Sequence, residues 1–172
     1  MKINSLVDSV EIVATGVPRS GTLFLAHLLN WSHEYAYGIN EKGYISEGPA
    51  KEPEVSWLAA PHLQRGAFVF HLIRNPNDVV RSNAAGGWLQ PGNSWGDYAY
   101  RYAETWDPWV FWLRWIDLCE SVASVRIHLE DISHLSAPIN VGPLSTSIPV
   151  PPIPSEYKKE IVKMADRLGY QL

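Results

Sequence analysis

The chain has 172 residues, 46% of them hydrophobic and 19% charged, and 14 basic against 18 acidic side chains leave a formal net charge of −4. That length suits one domain of roughly 100–200 residues, and an apolar share of this size with little charge excludes disorder for most of the chain. Acidic residues outnumber basic ones in both halves, 8 to 7 over residues 1–90 and 10 to 7 over 91–172, so no basic stripe points to nucleic acid, and any anion must be gripped by a few placed groups.

Residues 1–9 carry Lys2, Asn4 and Asp8 without a long apolar block, which predicts no signal peptide. Residues 10–15 are short, β-branched and stopped by Gly16 and Pro18, the pattern of a buried strand. Residues 22–29, with Leu23, Leu25, Ala26, Leu28 and Leu29, predict a helix buried on one broad face. Residues 35–53 read as connecting loop with room for a short strand, and residues 54–60 as a brief helix ended by Pro61.

Residues 67–73 form a continuous apolar run, suited to a parallel strand covered on both faces. Arg74-Asn75-Pro76 ends it, and a helix follows over 77–85. Residues 86–96 hold Gly86, Gly87, Pro91, Gly92 and Gly96, a stretch long enough for a lid or an acceptor-facing loop. Residues 97–122 predict helix with one interruption, where Asp107-Pro108 offers an N-cap followed by proline at the first helical position. Trp106, Trp109, Leu113 and Ile116 follow one face with Trp112 and Trp115 beside it, the spacing of core packing more than of a cofactor box.

Cys119, the single thiol, excludes an internal disulfide and reads as a core filler. Asp107, Arg114 and Asp117 break the longest apolar stretch well short of the 18 or so residues of a membrane span, so a soluble, cytoplasmic protein is expected. Residues 124–129 predict a third strand near a sheet edge. Residues 138–154 hold six of the 13 prolines and predict a strap over the surface. A helix over 155–168, closed by Gly169, ends the chain. Strands alternating with helices predict an α/β domain, a mostly parallel sheet flanked by helices in the three-layer sandwich of P-loop nucleotide-binding proteins.

Two segments carry chemistry. Gly16-Val17-Pro18-Arg19-Ser20-Gly21-Thr22 leaves a strand and enters a helix. Its terminal glycines let backbone amides wrap a phosphate, the helix start adds its positive end, and Arg19, Ser20 and Thr22 supply a charge and two hydroxyls. The ATP and GTP loop demands lysine where Thr22 stands, which weakens a phosphotransferase reading. Arg74, at the carboxyl end of the second long strand, could hold a second phosphate with its planar fork, and Ser82, eight residues on, could donate a hydroxyl to it. Ligands of open α/β sheets sit outside the carboxyl ends of strands, so both segments can face one crevice.

With these motifs the chain resembles the sulfotransferases that use 3′-phosphoadenosine 5′-phosphosulfate, in particular a small bacterial and phage-type branch. Gly16 to Leu23 is similar to that family's 5′-phosphosulfate loop, and Arg74-Asn75-Pro76-Asn77-Asp78-Val79-Val80-Arg81-Ser82 to its 3′-phosphate motif. Val125-Arg126-Ile127-His128-Leu129-Glu130-Asp131-Ile132 resembles a late strand ending in Glu-Asp, and Leu168-Gly169-Tyr170 a common tail; His33-Glu34 and Ser56-Trp57-Leu58-Ala59-Ala60-Pro61 resemble the small branch. Arg19 stands where many cytosolic members have lysine, and the family's glycine- and lysine-bearing segment near the C-terminus is not recognisable in 138–154.

The resemblance implies a sulfuryl transfer to a hydroxyl or amine of a carbohydrate, lipid or small metabolite. It implies nucleotide binding by Pro18, Arg19, Ser20, Gly21, Thr22, Leu23, Arg74 and Ser82. Arg19 is the expected stabiliser of charge on the bridging oxygen, Glu34 the first and His33 the second candidate for the base, and no metal is implied. His33 and Glu34 read equally as a solvated loop pair. His71, inside a strand, reads as a satisfied core histidine, and Ser56 and Trp57 as packing more than as acceptor or adenine contacts. A P-loop kinase-like phosphotransferase and a non-catalytic adenosine-bisphosphate-binding module are the alternatives.

Overall fold

A computed structural model describes residues 10–40, 50–63, 66–135 and 148–172. Its centre is one sheet of five strands, β1 (Ile12–Gly16), β2 (Ser32–His33), β3 (Glu54–Val55), β4 (Phe68–Ile73) and β5 (Val125–His128), in the spatial order β2-β3-β1-β4-β5. Every pairing is parallel, and β1 and β4 share the longest register, Ile12 opposite Phe68 through Gly16 opposite Leu72. The α/β fold expected from the sequence is the fold observed.

Alternation along β1 and β4 divides the apolar residues between two cores. Val13, Val69 and Ile73 face one side, where they meet α2 (Pro76–Gly86), α3 (Ser94–Ala103), α4 (Pro108–Val122) and α6 (Lys158–Arg167). Ala14, Phe70 and Leu72 face the other, where they meet α1 (Thr22–Leu29) and α5 (Leu129–Ile132). Both faces of the central strands are covered, hence their unbroken apolar character.

The connections set where a ligand can sit. From β1 the chain leaves through α1 to β2 on one side; from β4 it leaves through α2, α3 and α4 to β5 on the other. Neighbouring strands whose connections depart in opposite directions leave a crevice outside their carboxyl ends. Here that crevice lies beyond Gly16 and Ile73.

Several expectations need correction. Glu54 and Val55 are not helical: they form β3, which lies between β1 and β2, a two-residue strand too short to leave a period in the sequence. The turn after it is a 3₁₀ helix, Trp57–His62, that runs through Pro61. A two-residue strand, Ser32–His33, lies directly after α1 and ahead of the stretch expected to connect; of 35–53, the stretch expected to hold a short strand, residues 41–49 lie outside the described residues. The helical stretch expected from residue 97 starts at Ser94, because the Asn93 side chain accepts the amides of Trp95 and Gly96, and it divides cleanly into α3 and α4 at the Asp107 cap. The loop ahead of α3 is tied down: Trp88 packs against Phe111 and Trp57, and Asp97 accepts the Gly92 amide at 3.1 Å.

Of the proline-rich stretch, 136–147 lies outside the described residues. Residues 148–154 have no regular structure, pack Val150 and Ile153 on the larger core, and offer the Pro151 carbonyl to Trp109 Nε1 at 2.8 Å. Trp109, Trp112, Trp115 and Cys119 are buried core, while Trp106 stacks on Tyr100. Among the described residues no helix is long and apolar enough to cross a membrane.

Candidate functional site

The first loop is shaped by close contacts. A Cβ on Gly16 would stand 2.5 Å from the Leu72 carbonyl oxygen and 2.5 Å from Ser20 Oγ, so only glycine fits. The backbone turns left-handed at Arg19 (φ 73°) and again at Gly21 (φ 99°), with the Ser20 amide donating to the Val17 carbonyl at 2.9 Å between them. α2, α3 and α4 each start under an Asn or Asp side chain that accepts first-turn amides. α1 starts at Gly21 with no side-chain acceptor, and its first backbone bond runs from Leu25 to Gly21. The amides of Thr22, Leu23 and Phe24 thus have no partner within the helix. Ser20 Oγ is buried without a partner. Orphaned donors at a helix start are what an oxyanion satisfies.

Arg74 closes the crevice from the other strand. Its Nη1 donates to the carbonyl of Arg19 at 3.2 Å, so the two anion motifs, 55 positions apart in sequence, touch. Ser82 is the seventh residue of α2 and buried. Arg19 reaches the far end of that helix: a side chain at Gly86 would lie 3.3 Å from Arg19 Nη2 and 2.9 Å from Trp88 Cδ1. The guanidinium therefore rests at the negative end of the α2 dipole, beside an indole.

The base candidates come to the same edge. β2 ends at His33, whose Nε2 lies 3.5 Å from Thr22 Oγ1 and 3.6 Å from Glu34 Oε1. Glu34 takes a left-handed backbone, φ 52°. Burial, reinforced by the nearby Glu54 carboxylate, pushes the Glu34 carboxyl up to about 7, and burial next to His27 lowers His33 below its ordinary value. A carboxyl at about 7 beside a neutral imidazole is poised to accept a proton near neutral pH.

Sequence reasoning missed the residues that hold this edge together. Glu54, buried, accepts the amides of Ala36 at 2.8 Å and Tyr37 at 3.1 Å and so fixes the segment after Glu34. Glu130 accepts the Asn75 amide at 2.8 Å and the Tyr170 hydroxyl at 2.8 Å, while His128 Nδ1 lies 3.1 Å from that hydroxyl. Leu129, between them, packs where a Cβ on Gly21 would be. One turn after β5 therefore braces both loops and ties the chain's last residues to them. The Glu-Asp and Gly-Tyr segments gave the only signal, and their sequence says nothing of their meeting.

Other singled-out residues do not reach the crevice chemistry. Ser56 is fully buried, its hydroxyl capping the Leu58 amide, and Trp57 sits in a ring cluster with Trp88, Trp95, Tyr98 and Trp115. His71 is fully buried, with Nδ1 2.7 Å from Glu120 but Nε2 without a partner, so its polar groups are only half satisfied. No family model matches the chain, and no curated protein or solved structure matches it either.

Proposed function

We propose that the crevice binds 3′-phosphoadenosine 5′-phosphosulfate and moves its sulfuryl group to a hydroxyl or amine of a carbohydrate, lipid or small metabolite. The observation that carries this reading is the 3.2 Å bond from Arg74 to the Arg19 carbonyl, which joins two anion-binding elements at one switch point. The residues present fit such a nucleotide: α1 offers uncapped amides, Ser20 an orphaned hydroxyl, and Arg74 guanidinium donors beyond the one it spends on Arg19. Bound there, the nucleotide supplies the sulfuryl group and a bisphosphate leaving group.

The amides from Gly21 to Leu23 and the Ser20 hydroxyl would hold the 5′-phosphate, with Pro18 and the Ser20–Val17 backbone bond shaping the turn, and Arg74 with Ser82 the 3′-phosphate. Arg19 carries the charge that answers the oxyanion developing in transfer. Glu34 takes the acceptor's proton, with its carboxyl already near the working pH. His33, neutral at that pH, lies between Thr22 and Glu34 without adding a charge that would pull the carboxyl back down.

Incubation with nucleotide labelled in the sulfuryl group and a broad acceptor set tests this. Label should pass to an acceptor, or the bisphosphate should be released slowly in its absence. Neither event over long incubation overturns the transferase. ATP with Mg²⁺ raising the melting temperature more than 3′,5′-adenosine bisphosphate does would instead favour a phosphotransferase, against the threonine that replaces the loop lysine.

A further inference from the structure

Arg74 and Arg81 stand on either side of one carboxylate. Arg74 Nη2 is 3.9 Å from Asp78 Oδ2, and Arg81 Nη1 is 3.4 Å from Asp78 Oδ1. Arg74 lies just ahead of the Asn75 cap of α2, Asp78 is in its first turn, and Arg81 and Ser82 follow Asp78 by three and four residues, one turn on along the same face.

Both contacts are longer than the about 2.7–2.9 Å of a charge-assisted hydrogen bond. Three other guanidiniums are held closely: Arg126 Nε and Arg167 Nη2 each lie 3.0 Å from Glu120, and Arg114 Nη1 lies 2.5 Å from the Ala103 carbonyl. Arg81 Nε is in addition buried without a partner. The Arg74 and Arg81 side chains are 13% and 18% exposed, and Asp78 is 38% exposed. The carboxylate is thus the outermost of the three, lying over two cations that it satisfies poorly.

We propose that Asp78 is a built-in stand-in for the second phosphate. A phosphate monoester arriving beside Arg74 displaces the Asp78 carboxylate and takes both guanidiniums, which makes Arg81 a further ligand of that phosphate. A phosphate dianion carries more charge than the carboxylate and offers three oxygens to two planar forks, so the exchange favours it. A ribose hydroxyl brings no charge and leaves Asp78 in place. Asp78 and Arg81 together therefore set the preference for a nucleotide with two separated phosphates over one with a single phosphate. This rests on the nucleotide reading above.

Calorimetric titration with 3′,5′-adenosine bisphosphate and with adenosine 5′-monophosphate tests it. Arg81→Gln should weaken the bisphosphate about tenfold, and Asp78→Asn should strengthen it about threefold to tenfold, both leaving the monophosphate unchanged. Should Arg81→Gln fail to fold, Asp78→Asn decides alone, since Asp78 is the most exposed of the three side chains and asparagine keeps its size. A parent that prefers the bisphosphate, with a preference that Asp78→Asn leaves unmoved or lowers, overturns the roles of Asp78 and Arg81 only. A parent that binds both nucleotides equally overturns the two-ended reading and this inference with it.

Discussion

Two histidine–glutamate pairs among the described residues behave in opposite ways. In the cluster beside the start of β5, Glu120 accepts from His71 Nδ1 at 2.7 Å, from Arg126 Nε and Arg167 Nη2 at 3.0 Å each, and from Arg126 Nη2 as well. The hydrogen bond from His71 leads, Arg126 adds to it against the cost of burial, and the Glu120 carboxyl is held down at about 2. At the crevice, Glu34 has His33 at 3.6 Å and burial without a cation, and its carboxyl stands at about 7. The same two residue types make a permanent charge in one place and a titrating group in the other. The surroundings, not the pair, choose between scaffold and chemistry.

The sharpest way to break that contrast is Glu34→Gln. If Glu34 is the base, turnover falls by about 10²–10⁴-fold, the span of general-base catalysis, while bisphosphate binding is unchanged. The parent's kcat should climb through pH 7 as the carboxyl ionises, and the variant should lose that limb. Stability must move the other way. A carboxyl raised from 4.5 to about 7 in the folded chain contributes stability that is complete below pH 4.5 and is lost as pH rises through 7. Glu34→Gln should therefore be more stable than the parent at pH 8, by about 1–3 kcal/mol, and gain nothing at pH 4. A variant that is slower and also less stable at pH 8 would make Glu34 a structural residue.

Glu120→Gln should do the reverse. It leaves His71 and two arginines facing a neutral amide, so unfolding in denaturant should show a loss of about 2–3 kcal/mol at pH 7. Because the Glu120 carboxyl is depressed, its contribution is present above pH 4.5 and disappears as pH falls through about 2, and the gap between parent and variant should close over that range. Catalysis per folded molecule should not change. Arg74→Ala belongs to the crevice again: loss of its charge-assisted bonds should weaken 3′,5′-adenosine bisphosphate by about 1.5–3 kcal/mol in a titration.

How far the sequence could be read follows the same division. Long apolar runs at 67–73 and the Asp107-Pro108 cap leave local signals, and the structure places strand and helices there with shifts of a few residues. The loop from Gly16 to Thr22 is legible because its two glycines stand at the spacing of a strand-to-helix turn, although the neighbours that demand them, Leu72 and Leu129, are distant in sequence. β2 and β3 are not legible: two residues each, they exist only because β1 offers an edge for β3 to pair with and β3 one for β2. The depressed Glu120 and the raised Glu34 are equally invisible, since a partner 49 positions away leads the one, and burial, reinforced by a carboxylate 20 positions away, sets the other. What is written locally is the glycine-bounded turn; what is written nowhere locally is the brace that sets it against Arg74.

Tyr170 tests whether a closed network of the Glu120 kind serves the open crevice. Its hydroxyl donates to Glu130, which holds the Asn75 amide next to Arg74, and burial together with that carboxylate pushes the phenol far above its ordinary range, so it remains a donor at every working pH. Tyr170→Phe deletes one hydrogen bond and keeps the ring, for an expected stability loss of about 1 kcal/mol. If Glu130 merely anchors the tail, bisphosphate affinity stays at the parent's value once the protein is folded. If it positions the Asn75 turn, and through it the guanidinium that bonds the Arg19 carbonyl, affinity drops a few-fold while the monophosphate, gripped by the first loop, is untouched. The second result is the expected one, because Glu130 Oε1 has the Asn75 amide as its partner and Oε2 the tyrosine; losing one side of that bridge frees the carboxylate to rotate away from the other.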